Sequence, residues 1–502
     1  MVKKISILAL AGLLAVPGAA LAGGGDLESQ IAELTRQLQE LKAQVQANTK
    51  VTPSHSEDAE DEDVSSRFQL SGDFRARGDY YTRDRKLYIM SGNATNQTVT
   101  DSNNALLTNR LRINMRAKAL ENVEFKGRLA MYKVWGMQSA PDMPGFSYFG
   151  AFPLFDGNST RVANDSTLKV DRAFVNWNNI GGYPIWFSIG RRPTTDGPPS
   201  NLHLGLDQRM ATPTAYMDWP FDGVSVGVAY RNLFGQEDMP GRVRFCWGRG
   251  FESGLNRNDA SSINDTDFAG VSWDIYKKGN RFVYAQSFVA MDVFNFPDWA
   301  DDSANNSATS SYNDANRANI GNIIHTSAVY SDKVQDINYF VTLGWSRTDP
   351  NERGMLNEYN NLGQPAVLDT DSENGYSVYV GGRYDIPDSA FKLGLEYSHG
   401  SKYWIAMTPG HDDVYASKLA TRGNTYEAYG IWDIPGGEAV SRYGKAFMRF
   451  GYIHYDYNYT GSMDWNVKPY DIDSAEAYKA NYAGQDVVES ADQVYLTFEA
   501  MF

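Results

Sequence analysis

Between residues 67 and 502, apolar and polar residues alternate at period two in one segment after another. The segments are joined by connections that are short and long in turn. Period-two alternation marks strands whose two faces meet different surroundings. The segments fall at 67–80, 109–120, 123–134, 167–178, 184–192, 223–231, 242–249, 267–276, 281–293, 321–330, 336–347, 375–385, 390–400, 423–433, 443–457 and 493–502. Their count is even, and every long connection falls at the same end, a regularity that a two-sheet sandwich does not impose. The pattern predicts an all-β fold, a transmembrane antiparallel β-barrel of about 16 strands with both ends of the ladder on the short-turn side. The last segment, QVYLTFEAMF, sets Val494, Leu496, Phe498, Ala500 and Phe502 on one face and Gln493, Tyr495, Thr497, Glu499 and Met501 on the other. A strand can end a chain in this way when it pairs with the first strand, because closure leaves no edge.

The start of the chain has a different character. Lys3 and Lys4 precede an apolar run, 5–22, that ends in Ala20-Leu21-Ala22 and is interrupted by Pro17 and Gly18. This predicts a secretory signal peptide, 1–22, cut after Ala22. Beyond it no run approaches the roughly 20 apolar residues of a spanning helix. Residues 23–50 place Leu27, Ile31, Leu34, Leu38, Leu41 and Val45 at alternating spacings of four and three. That is the seam of a short coiled-coil helix, which cannot bury so narrow a stripe alone. The expectation is a periplasmic helix that associates with copies of itself, giving a homotrimer. Residues 51–66 lack periodicity, carry a dense acidic run and read as a flexible linker.

Composition excludes several classes. The net charge of −15 argues against nucleic acid. A mean hydropathy of −0.46 reads as soluble, yet barrel strands average lipid-facing and lumen-facing residues into a polar mean. The 31 Tyr, 24 Phe, 11 Trp and 45 Gly fit a β-rich protein with aromatic girdles. One cysteine, Cys246, excludes an internal disulfide and haem attachment through C-x-x-C-H. The chain holds no G-x-S-x-G, H-E-x-x-H or P-loop pattern, so neither an enzyme nor a bound cofactor or metal is expected. A hydrolase assembled from separate strands would leave no linear motif. The acids Asp301, Asp302, Asp412 and Asp413, and His55 in the linker, read as solvated charge.

The alternation also assigns faces. In the first strand Phe68, Leu70, Gly72, Phe74 and Ala76 face lipid, while Asp73, Arg75 and Arg77 face inward. The same reasoning turns Arg110, Arg112, Arg116, Lys118, Lys126, Arg128, Arg172, Arg242, Arg244 and Cys246 inward. A charge at mid-bilayer on the lipid face costs roughly 2–4 kcal/mol, which fixes the sidedness. Such a wall either biases the lumen toward anions or is neutralised by Asp73, Glu124 and Asp171. The long aromatic connection 137–166 is a candidate to fold inward and narrow the bore, and equally to pack on top of the barrel or in a subunit contact.

Three stretches, GRRPTTDGPPSNL (190–202), PGRVRFCWGRGFESG (240–254) and KLATRGNTYEAY (418–429), resemble a family of Gram-negative porins carried under a domain-of-unknown-function label. The resemblance implies an outer-membrane barrel and assigns no substrate. The ending at Val494, Leu496, Phe498 and Phe502 resembles the C-terminal signal read by the barrel-assembly machinery. Together these readings give a passive diffusion channel for ions and small hydrophilic solutes, embedded in outer-membrane lipid. The rivals are a barrel that sheathes a partner such as an electron-transfer cytochrome, and a plugged structural tether.

Overall fold

The computed structural model describes residues 67–88, 97–136, 160, 163, 165–193, 197–207, 216–230, 241–254, 263–295, 318–408, 415–436 and 444–502. The signal peptide, the heptad seam, the acidic linker, the loop acids at 301–302 and 412–413, and most of connection 137–166 lie outside the described residues.

The first eleven strands are β1 (Phe68–Leu87), β2 (Gln97–Leu120), β3 (Val123–Val134), β4 (Lys169–Trp177), β5 (Ile185–Arg192), β6 (Phe221–Tyr230), β7 (Gly241–Phe251), β8 (Thr266–Lys278), β9 (Arg281–Phe294), β10 (Asn319–Val334) and β11 (Ile337–Pro350). A small hairpin, β12 (Glu358–Tyr359) and β13 (Pro365–Val367), lies in the next connection. The remaining strands are β14 (Asn374–Asp385), β15 (Phe391–Gly400), β16 (Gly423–Ile434), β17 (Lys445–Tyr457) and β18 (Val487–Met501). All but the small hairpin join in one closed barrel of 16 strands, each hydrogen-bonded to its sequence neighbour in the wall.

Closure is made by β1 and β18, which run antiparallel with Asp73 opposite Met501 and Ala76 opposite Phe498. Gly72 N–H donates to the Phe502 carbonyl at 2.7 Å, and Phe502 N–H returns a bond to the Gly72 carbonyl at 3.0 Å. The alternation of the last strand is visible in its exposure. Val494, Leu496 and Phe498 are 51%, 51% and 41% exposed, whereas Gln493, Thr497 and Glu499 are fully buried. Around the wall the outward positions are large apolar residues such as Ile189, Phe245, Leu343, Leu395 and Phe450. An apolar exterior on a closed sheet leaves no unpaired strand edge facing lipid, the condition for a barrel to span a bilayer.

Several strands are longer than the alternation predicts, β1 and β2 by the most. The expected limits, 67–80 and 109–120, become Phe68–Leu87 and Gln97–Leu120. The added length is polar but cross-linked. Arg83 and Arg85 donate to Asp101 at 2.9 and 2.7 Å, and Thr100 donates to Asp84 at 2.6 Å. Polar pairs of this kind stabilise a hairpin in water, so lipid thickness does not set where these strands stop.

The main apolar core sits inside the barrel toward the long connections. Trp219, Trp404 and Trp465, from three different connections, are each fully buried in one cluster with Ile405, Met407, Leu356 and Phe294. Trp404 Nε1 donates to the Leu419 carbonyl at 2.8 Å and Trp465 Nε1 to the Phe294 carbonyl at 2.9 Å, so the indoles are satisfied as well as buried. Gly344 on β11 makes this packing possible, because a Cβ there would collide with the Trp404 ring.

Candidate functional site

The inner face of β1–β4 and β7 is a lattice of ion pairs. Arg112 Nε lies 2.8 Å from Asp73 Oδ2, and Arg110 reaches Asp73 at 3.2 Å and Glu499 at 3.5 Å. Arg77 lies 2.8 Å from Asp79 and stacks over the Tyr495 ring. Arg75 lies over the Tyr132 ring, 5.3 Å from its centre. Arg116 and Lys126 both reach Glu124 at 2.7 Å. Arg128 and Arg172 share Asp171 at 3.6 and 3.5 Å. The register between β3 and β4 skips Asp171, so a bulge turns Asp171 and Arg172 to the same side. Arg242 and Arg244 share Asp274 at 2.7 and 3.1 Å. Lys118 is exposed near the short-turn end. Cys246 is half-buried, with its sulfur 3.2 Å from Ser225 Oγ.

The connection between β5 and β6 enters the barrel. Its one-turn helix α1 (Ser200–His203) ends against cations of the wall. Arg449 Nη1 donates to the His203 carbonyl at 2.7 Å, Lys392 and Lys445 donate to the Gly205 carbonyl at 3.1 and 2.7 Å, and Arg383 reaches the Leu202 carbonyl at 3.2 Å and Asp207 at 2.7 Å. A helix end leaves carbonyls without partners, and these four side chains supply them.

Beside these contacts lies a buried charged cluster. His203 Nε2 is 3.2 Å from Glu396 on β15 and 3.2 Å from Glu427 on β16. Lys418, from the connection 401–422, lies 2.6 Å from Glu396 and also contacts Glu427. Tyr379 donates to Glu396 and Tyr495 to Glu427, each at 2.6 Å. His203, Glu396 and Glu427 offer ligand atoms within 4.8 Å of one another. The Lys418 ammonium, however, already stands between the two carboxylates where a cation would sit. The cluster therefore acts as a latch that fixes α1 to the far wall. His203 lies outside the strands. Burial opposes its protonation, but the Glu396 and Glu427 carboxylates outweigh that and hold it above its ordinary value.

Between α1 and the wall opens a cavity of about 970 Å³, bordered by the short turns at Asn178, Gly279 and Asn280. It carries the cations Lys126, Arg172, Arg192, Arg242, Arg244, Lys277 and Lys333 against the carboxylates Glu124, Asp207 and Asp332. Of the inward cations expected from sequence, Lys126, Arg172, Arg242 and Arg244 line this vestibule on the β3–β11 side, whereas Arg75, Arg77, Arg110, Arg112 and Arg128 are buried among their neighbours.

Sequence reasoning offered 137–166 as a candidate narrowing segment, most of which lies outside the described residues, and treated the connection after β5 as an ordinary long loop, of which residues 197–207 lie inside the barrel. Sequence reasoning did not single out Arg383, Lys392, Lys445 and Arg449, although strand alternation turns all four inward, and no local pattern tells which loop a wall position meets.

A closed antiparallel barrel that is apolar outside, charged inside and entered by the connection after β5 is a porin-like barrel. The chain belongs to the DUF3373 family, described as proteins of unknown function, whose model matches residues 100–502. Solved structures similar to it include an anion-selective porin from Comamonas acidovorans, at 10% identity and a TM-score of 0.42, covering 87% of this chain and 99% of that one. OprB of Pseudomonas putida matches at 10% identity and a TM-score of 0.41, covering 87% and 95%. The outer membrane channel DcaP of Acinetobacter baumannii matches at 12% identity and a TM-score of 0.40, covering 87% and 97%. No curated protein matches.

Proposed function

We propose that the protein is an outer-membrane diffusion channel for small hydrophilic solutes, with a preference for anions. The observation that supports this most directly is the vestibule of about 970 Å³ on the short-turn side, where cations outnumber carboxylates. Fixed charge on a lumen wall raises the local concentration of the opposite ion. In this reading the short turns face the periplasm, as in outer-membrane barrels generally. Arg75, Arg77, Arg110, Arg112, Arg116, Lys118, Lys126, Arg128, Arg172, Arg242 and Arg244 form the charged wall. Val494, Leu496, Phe498 and Phe502 engage lipid and the assembly machinery. The heptad of residues 23–50 joins three copies below the membrane. No catalytic role is proposed.

A second reading, a closed structural barrel, is favoured by the apolar packing of Trp219, Trp404 and Trp465 under the long connections. The sheath for a partner protein is not carried further, since α1 and its latch occupy the bore that such a partner would need.

Single-channel recording in a planar bilayer under a salt gradient separates the two readings. Discrete steps in groups of three with an anion-favouring reversal potential support the channel. Silence from a folded, heat-modifiable barrel rejects it in favour of the closed barrel.

A further inference from the structure

Two cavities on the inner face meet at Arg192. One is the vestibule. The other, of about 120 Å³, lies over β6–β9 and is lined by Met217, Phe221, Phe268 and Phe288 beside Cys246. Arg192, Pro193 and Arg244 border both. The smaller cavity exists because glycines occupy inward positions on adjacent strands. Gly223 stands opposite Gly248, and Gly270 opposite Cys246, so the floor there carries almost no side chain.

Arg192 is the last residue of β5. Its Nη1 is 4.0 Å from Cys246 Sγ and its guanidinium carbon is 5.8 Å from the centre of the Trp186 ring. No carboxylate lies within ion-pair distance of it among the described residues, and its buried Nε has no hydrogen-bond partner. The other vestibule arginines described above each have one. A half-buried guanidinium whose buried Nε is an unused donor, held at the mouth of an apolar recess, is complementary to a carboxylate attached to an apolar body.

We propose that Arg192, with Arg244 beside it, seats the head of a small amphipathic organic anion, a monocarboxylate whose apolar part enters the glycine-floored recess. The proposal rests on the channel reading only for how the solute arrives. An apolar cavity of about 150 Å³ admits benzene, so the recess holds a body no larger than a phenyl ring, part of which stands in the vestibule. An inorganic anion would use the arginines and leave the recess empty.

The test is isothermal titration calorimetry of the detergent-purified full chain with benzoate, benzamide and acetate. Benzoate binds more tightly than either of the others if both halves of the seat are used. Arg192→Gln weakens benzoate by roughly tenfold or more and leaves the three probes alike. Arg192→Lys, which keeps the charge and loses the fork, falls between. Benzoate also slows alkylation of Cys246, the chain's single thiol, and this slowing is lost in both variants in step with affinity. The proposal is overturned if benzoate does not bind, if benzamide or acetate binds equally well, or if a heat-modifiable Arg192→Gln barrel binds benzoate like the parent. Conductance of the same preparation keeps the two readings apart. A conducting protein without benzoate binding rejects the seat alone. A silent protein that binds benzoate rejects the channel and keeps the seat.

Discussion

Asp464 shows how a single side chain can govern a loop. It is buried in the connection 458–486, where its carboxylate accepts from Asn466 N–H at 2.6 Å and from Gln485. Arg422 reaches the carbonyls of Trp404 at 3.1 Å, Thr460 at 3.3 Å and Asp464 at 2.5 Å, tying two long connections together. Burial pushes the Asp464 carboxyl up to about 6, with the Asn466 amide and Arg422 opposing. The unfolded chain releases that proton near 3.8. Between these values the folded loop holds the extra proton, so its stability is present below about 4 and falls as pH rises through about 6, by roughly 3 kcal/mol at most. Amide exchange of 458–486, corrected for intrinsic rate, should quicken over that interval, and Asp464→Asn should abolish the dependence. His203 works in the other part of the scale. It faces Glu396 from β15, Glu427 and the Tyr429 ring from β16, and Lys418 from the connection 401–422. Its folded value is raised. Its contribution to docking is therefore complete below the free value near 6.5 and is lost as pH rises through the folded one. Protection of residues 197–207, corrected for intrinsic rate, should be greater at pH 6 than at pH 9; equal protection would reject the latch as a titrating device.

At the level of strands, alternation carried most of the information. It placed Phe68, Leu70 and Leu496 outside and Asp73, Arg112 and Arg244 inside, because a charged residue cannot face lipid cheaply and the pleat reverses face at every step. It failed where lipid ceases to act. In the outer halves of β1 and β2, Arg83, Asp84 and Asp101 pair across strands that composition reads as loop. It was also blind to the match between Gly344 and Trp404, which are 60 positions apart and meet only after the wall closes. The same logic makes a quantitative expectation. Leu395, 69% exposed on β15, replaced by Arg should cost roughly 2–4 kcal/mol of folding into bilayers. Urea titration in vesicles measures it. A cost near zero would place Leu395 away from the lipid midplane.

For the whole molecule, the consequential tie is between α1 and the far strands. Glu396→Gln combined with Glu427→Gln removes both carboxylates from Lys418 and His203, leaving a buried ammonium without counter-charge. Breaking a buried pair from one side costs about 3–5 kcal/mol. The double variant should free α1 and raise single-channel conductance while the barrel remains heat-modifiable. Unchanged conductance would mean that the current does not pass beside α1. This site was half legible in advance. Glu396 and Glu427 lie at inward positions of alternating strands, Lys418 and Glu427 fall in one of the family-like stretches, and His203 directly follows another. Their meeting depends on strand order around the ring, which no window of sequence contains.

Counted around the ring from β5, the strand directly opposite is β15. The inward connection therefore behaves as a beam laid across a tube, covalent at one end and clamped by charge at the other. A beam of this kind does more than narrow a bore; it shares out the section unevenly. The open space lies along β3–β11, on both sides of the beam's root, whereas the wall along β16–β2 is packed by Arg75, Arg112 and Arg449, each almost fully buried. In the channel reading, the largest solute is set by the width of that space and not by the number of staves in the wall. In the same reading, release at the clamped end should widen the passage in a single step without losing the beam, which stays covalently joined to β5 and β6.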